Sequence, residues 1–170
     1  MPRFFYVVRC NFPRADLLDD WERWYVGHIE LLLTVPGFLG AQRFFTPHSP
    51  DARPYLALYE LSSPEVMRSD EYQRARGFGV WEGHVTSWTR DLVEAADRDL
   101  DFATPMDGRL WAAFYRGTLP PGAAQIVGLD RSFDGALWRS LRKDEAPPAA
   151  EGGAAAVFEP RTEYAAPTRA

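Results

Sequence analysis

The sequence predicts an α+β fold, an antiparallel sheet with its helices on one face. Three observations carry this reading. Residues 16–35 repeat apolar side chains at three- and four-residue intervals, the period of one helix face. Residues 3–10 and 55–61 (RFFYVVRC and YLALYEL) are apolar on both parities, as strands covered on both sides are. Up to residue 98 the elements follow in the order strand, helix, strand, strand, helix, strand.

Residues 3–10 form the first strand, with Phe5 and Val7 on one face and Phe4, Tyr6 and Val8 on the other. Cys10 ends it. It is the only cysteine, so no internal disulfide forms, and the usage fits a reducing cytoplasm. Cys10 reads as an inert buried thiol. The helix over 16–35 starts at Asp16, a short carboxylate suited to cap the first turn, with Asp19 and Asp20 near its positive end. Leu17, Trp21, Trp24, Tyr25, His28, Leu31, Leu32 and Val35 form its apolar stripe. Val35-Pro36-Gly37 stops it, because proline disfavours helical geometry before it and glycine permits the turn. A strand over 38–45 follows. Residues 46–54 (TPHSPDARP) are a turn-rich loop, with His48 solvated in it. After the strand 55–61, Ser63 and Pro64 open a second helix that runs to about Arg76. Gly77-Phe78-Gly79 breaks it. Residues 80–89 predict a short helix with Trp81, His84, Val85 and Trp88 on one face. Residues 90–98 read as a fourth strand, and a helix reading is nearly as good.

This order is the ferredoxin-like split βαβ plan. The plan leaves one sheet face bare, and here that face is apolar and aromatic. A second copy is the economical cover, giving a homodimer with two sheets packed face to face. Residues 1–100 make this domain. Residues 101–145 form an extension of strands over 108–116 and 123–130, a turn between them, and a helix over 133–143 with Leu137 and Leu141 one turn apart. Residues 146–170 are rich in Ala, Pro and Gly and predict a disordered or draped tail with Val157-Phe158 as its anchor.

The chain has a net charge of -5 and no basic run, which argues against a nucleic-acid surface. No apolar run approaches the roughly 20 residues that a membrane helix needs. The three histidines, at 28, 48 and 84, have no metal-ligand spacing. P-loop, dinucleotide-binding and GxSxG patterns are missing from the sequence. What remains is cofactor-free pocket chemistry. His28, behind Trp24 and Tyr25, is the first choice as base or acid and His84 the second, since imidazole titrates near neutrality. A core histidine hydrogen-bonded to a neighbour is the alternative. Arg43 is either the holder of a carboxylate or oxyanion, or a rim ion pair with Glu60. Tyr6, Trp24, Tyr25, Tyr59, Trp81 and Trp88 are walls of the pocket or plain core.

The stretches DWERWYVGHIELLLTVPGFLGAQRFF, PYLALYELSSPEVMRSDEYQRARG and GVWEGHVTSWTRDL resemble the dimeric α+β barrel superfamily, above all its EthD-like branch, where W-Y-x-x-H-x-x-x-L-L-x-V-P-G precedes the second strand. The resemblance spans residues 3–98. It implies a dimer with a hydrophobic pocket between sheet and helices. Members include cofactor-free monooxygenases, polyketide cyclases, lactone isomerases and haem-binding oxidative enzymes. The expectation is a cytoplasmic, homodimeric, cofactor-independent enzyme of lyase, cyclase or isomerase type. Its substrate would be a small aromatic or polyketide-like metabolite. Two other classes stay open: a non-catalytic protein that binds a hydrophobic ligand, and a haem protein ligated through His28 or His84.

Overall fold

A computed structural model describes residues 1–96 and 100–168. Its strands are β1 (Arg3–Asn11), β2 (Phe38–Phe45), β3 (Tyr55–Leu61), β4 (Thr86–Ala95), β5 (Arg109–Tyr115), β6 (Ala124–Leu129), β7 (Gly135–Leu141) and β8 (Gly153–Pro160). The helices are α1 (Leu18–Leu33) and the short α2 (Asp70–Ala75). All eight strands join one closed antiparallel barrel in the order β1-β3-β2-β8-β5-β7-β6-β4.

This overturns the predicted ferredoxin-like α+β fold, and with it the dimeric barrel and the EthD-like resemblance. The apolar face assigned to a second copy is covered by the chain's own strands. The predicted extension and tail supply them, as β5 to β8. The interior is built from alternate residues of the whole ring: Phe5 and Val7 of β1, Leu56 and Leu58 of β3, Val93 of β4, Leu110 and Ala112 of β5, Trp138 of β7 and Phe158 of β8. Eight strands enclose about the space that side chains fill. Phe5 meets Trp138 edge-on at 4.9 Å, and Trp138 pairs with Ala112 in the ladder, so large sits beside small on neighbouring strands.

Five local readings also change. The predicted helix 133–143 is strand β7. Leu137 and Leu141 are four residues apart, an interval that fits one helix turn and two strand periods equally well. The barrel separates them: Ala136 and Trp138 point inward, while Leu141 packs on the outer face with Trp111 and Tyr115. The predicted helix 80–89 is a 3₁₀ turn, Gly79–Trp81, followed by the start of β4. β4 itself is the strand expected after residue 90, begun earlier; the last two residues of that reading lie outside the described ones. The tail forms β8, whose Ala-rich stretch pairs with β5 from Leu110–Phe158 to Tyr115–Gly153. Its order comes from its ladder partners together with Phe158, which packs in the barrel core. The helix expected to follow Ser63 splits into a 3₁₀ turn, Pro64–Arg68, and α2, and Ser69 rather than Ser63 caps α2 by accepting from the Tyr72 N–H. Likewise Asp16 does not cap α1; its carboxylate pairs with Arg14 at 2.6 Å.

Beyond β8 the chain stays on β2. The Arg161 N–H donates to the Arg43 carbonyl, the Gln42 amide donates to the carbonyls of Thr104 and Thr162, and Ala165 bridges Ala41. Gly40 leaves room for the Tyr164 hydroxyl, which a Cβ would have to displace. Among the described residues no helix is long and apolar enough to cross a membrane. Phe158 is 2 % exposed inside the barrel. Phe158→Ala is therefore expected to lower the urea unfolding free energy by about 3–5 kcal/mol. A merely draped tail would change it by no more than about 0.5 kcal/mol.

Candidate functional site

Helix α1 lies on the outer face of β1, β3 and β2. Its buried side is Trp21, Tyr25, Ile29 and Leu32, set against Tyr6, Val8, Ala57 and Tyr59. Leu31, placed on the stripe by spacing, is 48 % exposed, and Ile29 takes the inner position instead. Ile29 and Leu31 are two positions apart and so on nearly opposite sides of the helix, and the sheet takes the side of Trp21, Tyr25, Ile29 and Leu32.

Where α1 meets α2, four tyrosines converge. Tyr72 of α2 donates a hydrogen bond to the Tyr6 hydroxyl at 3.0 Å. Tyr6 stacks on Tyr59 at 5.5 Å, and Tyr59 and Tyr25 share a side-chain hydrogen bond. Burial pushes the phenols of Tyr6, Tyr25 and Tyr59 above their ordinary range, so they remain protonated donors. These four rings line a small cavity together with His28, Phe78 and Trp88. Its free volume is about 20 Å³. That is room for about one water.

His28 is the one imidazole that lines this cavity. Its ring stacks flat on Trp24 at 4.7 Å and meets Tyr25 edge-on. Desolvation pushes the imidazole down to about 4, so it is neutral across physiological pH. A neutral imidazole has a free nitrogen that can accept a proton, the lowered value making His28 a weaker base than a free imidazole, and protonated phenols can donate to a neighbouring oxygen on which charge develops. Phe78 is a further wall of the cavity. It packs on Trp88 at 4.8 Å and reaches Trp24 and Tyr25, each at 6.3 Å. It is held between Gly77 and Gly79, whose φ angles of +95° and +53° favour glycine.

The structure thus brings together His28, Tyr6, Tyr25, Tyr59 and Trp88, with Trp24 as the platform behind His28. His84 and Trp81 lie elsewhere. His84 sits in the turn before β4, where it and Trp81 meet Phe12 at 6.4 Å and 5.8 Å. The helical face that would have joined them to Trp88 does not form. Arg43 is also apart from the cavity. It is 1 % exposed, and its guanidinium lies over the rings of Trp21, Tyr25 and Tyr55 at 4.2–4.7 Å. Its ion pair is with Glu22 of α1, not Glu60, which pairs with Arg3 at 2.8 Å. Sequence reasoning missed Tyr72 and Phe78. Tyr72 is the one aromatic in α2, and Phe78 is the one large side chain between two glycines, signals visible only as isolated apolar residues in polar or flexible surroundings.

A haem does not fit beside His28, since a macrocycle cannot enter about 20 Å³. Cys10 is 1 % exposed, and burial pushes its thiol up to about 12, so it supplies no nucleophile.

The lowered His28 value links to stability. The unfolded chain binds a proton near 6.5 and the folded one only near 4, so stability is full above pH 6.5 and falls as pH drops towards 4. The loss attributable to this group is at most about 3 kcal/mol. His28→Gln is expected to flatten that part of the stability curve, measured by urea unfolding between pH 4 and 7 against the wild type.

No family model matches this chain, and a comparison with curated proteins finds no match; the EthD-like resemblance therefore has no support beyond the short motifs that suggested it.

Proposed function

We propose that the chain is a cofactor-independent acid–base enzyme acting on a small aromatic metabolite, with His28 as the base. The observation that carries this reading is the pairing, in one cavity, of a neutral imidazole with the Tyr6–Tyr72 hydroxyl pair. His28 takes a proton from a phenol, or from carbon next to a carbonyl, and a tyrosine hydroxyl donates to the oxygen on which charge develops. Lyase, cyclase and isomerase steps all have this form. The substrate class follows from the walls, where Trp24, Tyr25, Phe78 and Trp88 offer ring faces and edges. Access requires Phe78 to leave its place between the two glycines, and a planar ring of similar size then takes that place. The buried single cysteine suits a cytoplasmic setting.

The test combines binding and turnover. Phenols and aromatic acids are screened by thermal shift, since binding to the folded state raises the melting temperature. Hits are incubated with enzyme and followed by NMR of the compound. His28→Gln is expected to keep the melting shift and lose at least about 100-fold in turnover, the usual contribution of a positioned base. His84→Ala, outside the cavity, is expected to keep both. Turnover that survives His28→Gln would make His28 a structural residue, and a hit that the wild type binds but never changes would make the protein a binding module.

A further inference from the structure

A second polar cluster lies inside the barrel, at the mouth where β1, β4 and the β6–β7 turn meet. Arg9 of β1 is 4 % exposed, with its guanidinium 4.1 Å from the Phe114 ring and 5.2 Å from that of Phe133. Its Nη2 donates to the Ser132 hydroxyl at 2.9 Å, and its buried Nε has no partner among the described residues. Ser132 in turn donates through its N–H and its hydroxyl to the two oxygens of Asp91, at 2.7 Å and 2.5 Å. Asp91 is fully buried, and both its oxygens are engaged by Ser132.

The anion that Arg9 contacts directly is another residue, Asp51. Arg9 Nη1 at 2.7 Å and Arg53 Nη1 at 3.0 Å donate to the same Asp51 oxygen, while the Ser49 hydroxyl donates to the other. Asp51 belongs to the loop between β2 and β3, not to the barrel wall. Its side chain is 31 % exposed and that of Arg9 is 5 % exposed. The receptor is thus built into the barrel and its occupant hangs from a surface loop. Two planar guanidiniums on one carboxylate form the arrangement that recognises carboxylates and phosphates.

Backbone strain gathers at this mouth. Among the described residues, four non-glycine positions have φ between 52° and 64°: Ala52, Ser87, Leu129 and Arg131. Ala52 separates Asp51 from Arg53. The Ser87 carbonyl accepts from Arg53 Nε at 2.8 Å. Leu129 and Arg131 shape the turn that delivers Ser132. Left-handed backbone is costly for such residues and persists where surrounding structure imposes it. A buried ion pair is also weak as a source of stability. Neither the strain nor the buried arginine is explained by packing alone.

We propose that Arg9 and Arg53 form a binding site for the carboxylate or phosphate group of a small anionic ligand, and that the loop's Asp51 occupies it as an internal competitor. About 10 Å³ remains free beside these residues, so the ligand's anionic group enters by displacing Asp51. The apolar walls for the rest of the ligand are Phe114, Ala156 and Phe158. This site is independent of the His28 cavity, which lies on the outer face of the sheet.

The experiment measures binding of inorganic phosphate and of benzoate by isothermal titration at constant ionic strength. Asp51→Asn removes the competing charge and leaves the two arginines facing an open position. If Asp51 fills the site about nine-tenths of the time, the apparent affinity rises about tenfold in the variant. Adding Arg53→Gln to Asp51→Asn is expected to abolish that gain. Should Asp51→Asn fail to fold, the wild type is melted in phosphate and in chloride of equal ionic strength, beside Arg53→Gln, whose partly exposed side chain is safely replaced. A phosphate-specific rise in melting temperature that Arg53→Gln removes supports the site. Equal affinity in wild type and Asp51→Asn, or a phosphate effect unchanged by Arg53→Gln, overturns it.

Discussion

The seam between β2 and β8 closes the barrel with two register pairs, Phe44 with Pro160 and Phe45 with Glu159. A ring of strands has no free edge only if this last junction holds, and a closed ring is what lets one chain cover the inner face of every strand. So short a ladder is reinforced by its surroundings. Arg161 reaches Glu22 of α1 at 3.4 Å, and the chain after β8 remains hydrogen-bonded to Arg43 and Ala41. Gln42 binds the carbonyls of Thr104 and Thr162 and accepts from the Thr104 N–H, so one buried amide ties the seam to the segment that enters β5.

The candidate site depends on that closure at second hand. Tyr6 and Tyr59 stand on the outer face of the two strands whose inner residues, Phe5, Leu56 and Leu58, are packed by β5, β7 and β8. An open barrel would expose those inner residues to water and free the strands that set the tyrosines. Arg43 provides the other half of the positioning. It is buried among Trp21, Tyr25 and Tyr55 and ion-paired to Glu22, so it holds α1 on the sheet by ring faces and charge together. Glu22 takes both Arg43 and Arg161, and the helix, the sheet and the closing strand thus share one carboxylate.

The molecule keeps its two polar centres in different solvents. His28 is desolvated and neutral on the outer face, within rings that carry hydroxyl groups. Arg9 and Asp91 are charged groups within the barrel, where burial lowers the arginine and raises the carboxyl, and where Ser132 and Asp51 supply the compensating hydrogen bonds. Proton transfer suits the first environment and recognition of an anion the second.

The sequence by itself determined the short-range features. The bounds of β2 and β3 follow from their flanking Pro-Gly and proline-rich turns, β1 from its apolar run, and α1 from its period. His28 was legible as the odd polar residue on an apolar stripe, and Tyr6, Tyr25 and Tyr59 as aromatics on faces that had to be buried. What covers the second sheet face was decided only by the tertiary structure. An apolar face states that it must be buried and does not say by what, so a second copy and the chain's own C-terminal half were equally consistent with it. The covering strands were themselves ambiguous: Leu137 and Leu141 fit both periods, and the Ala-rich β8 has few large side chains besides Val157 and Phe158, so its order depends on the partner ladders as well. The same holds for charge. Arg9, Asp51, Asp91 and Ser132 are scattered along the chain and mean nothing locally; their contacts exist only because a closed barrel brings distant strands and loops to one mouth.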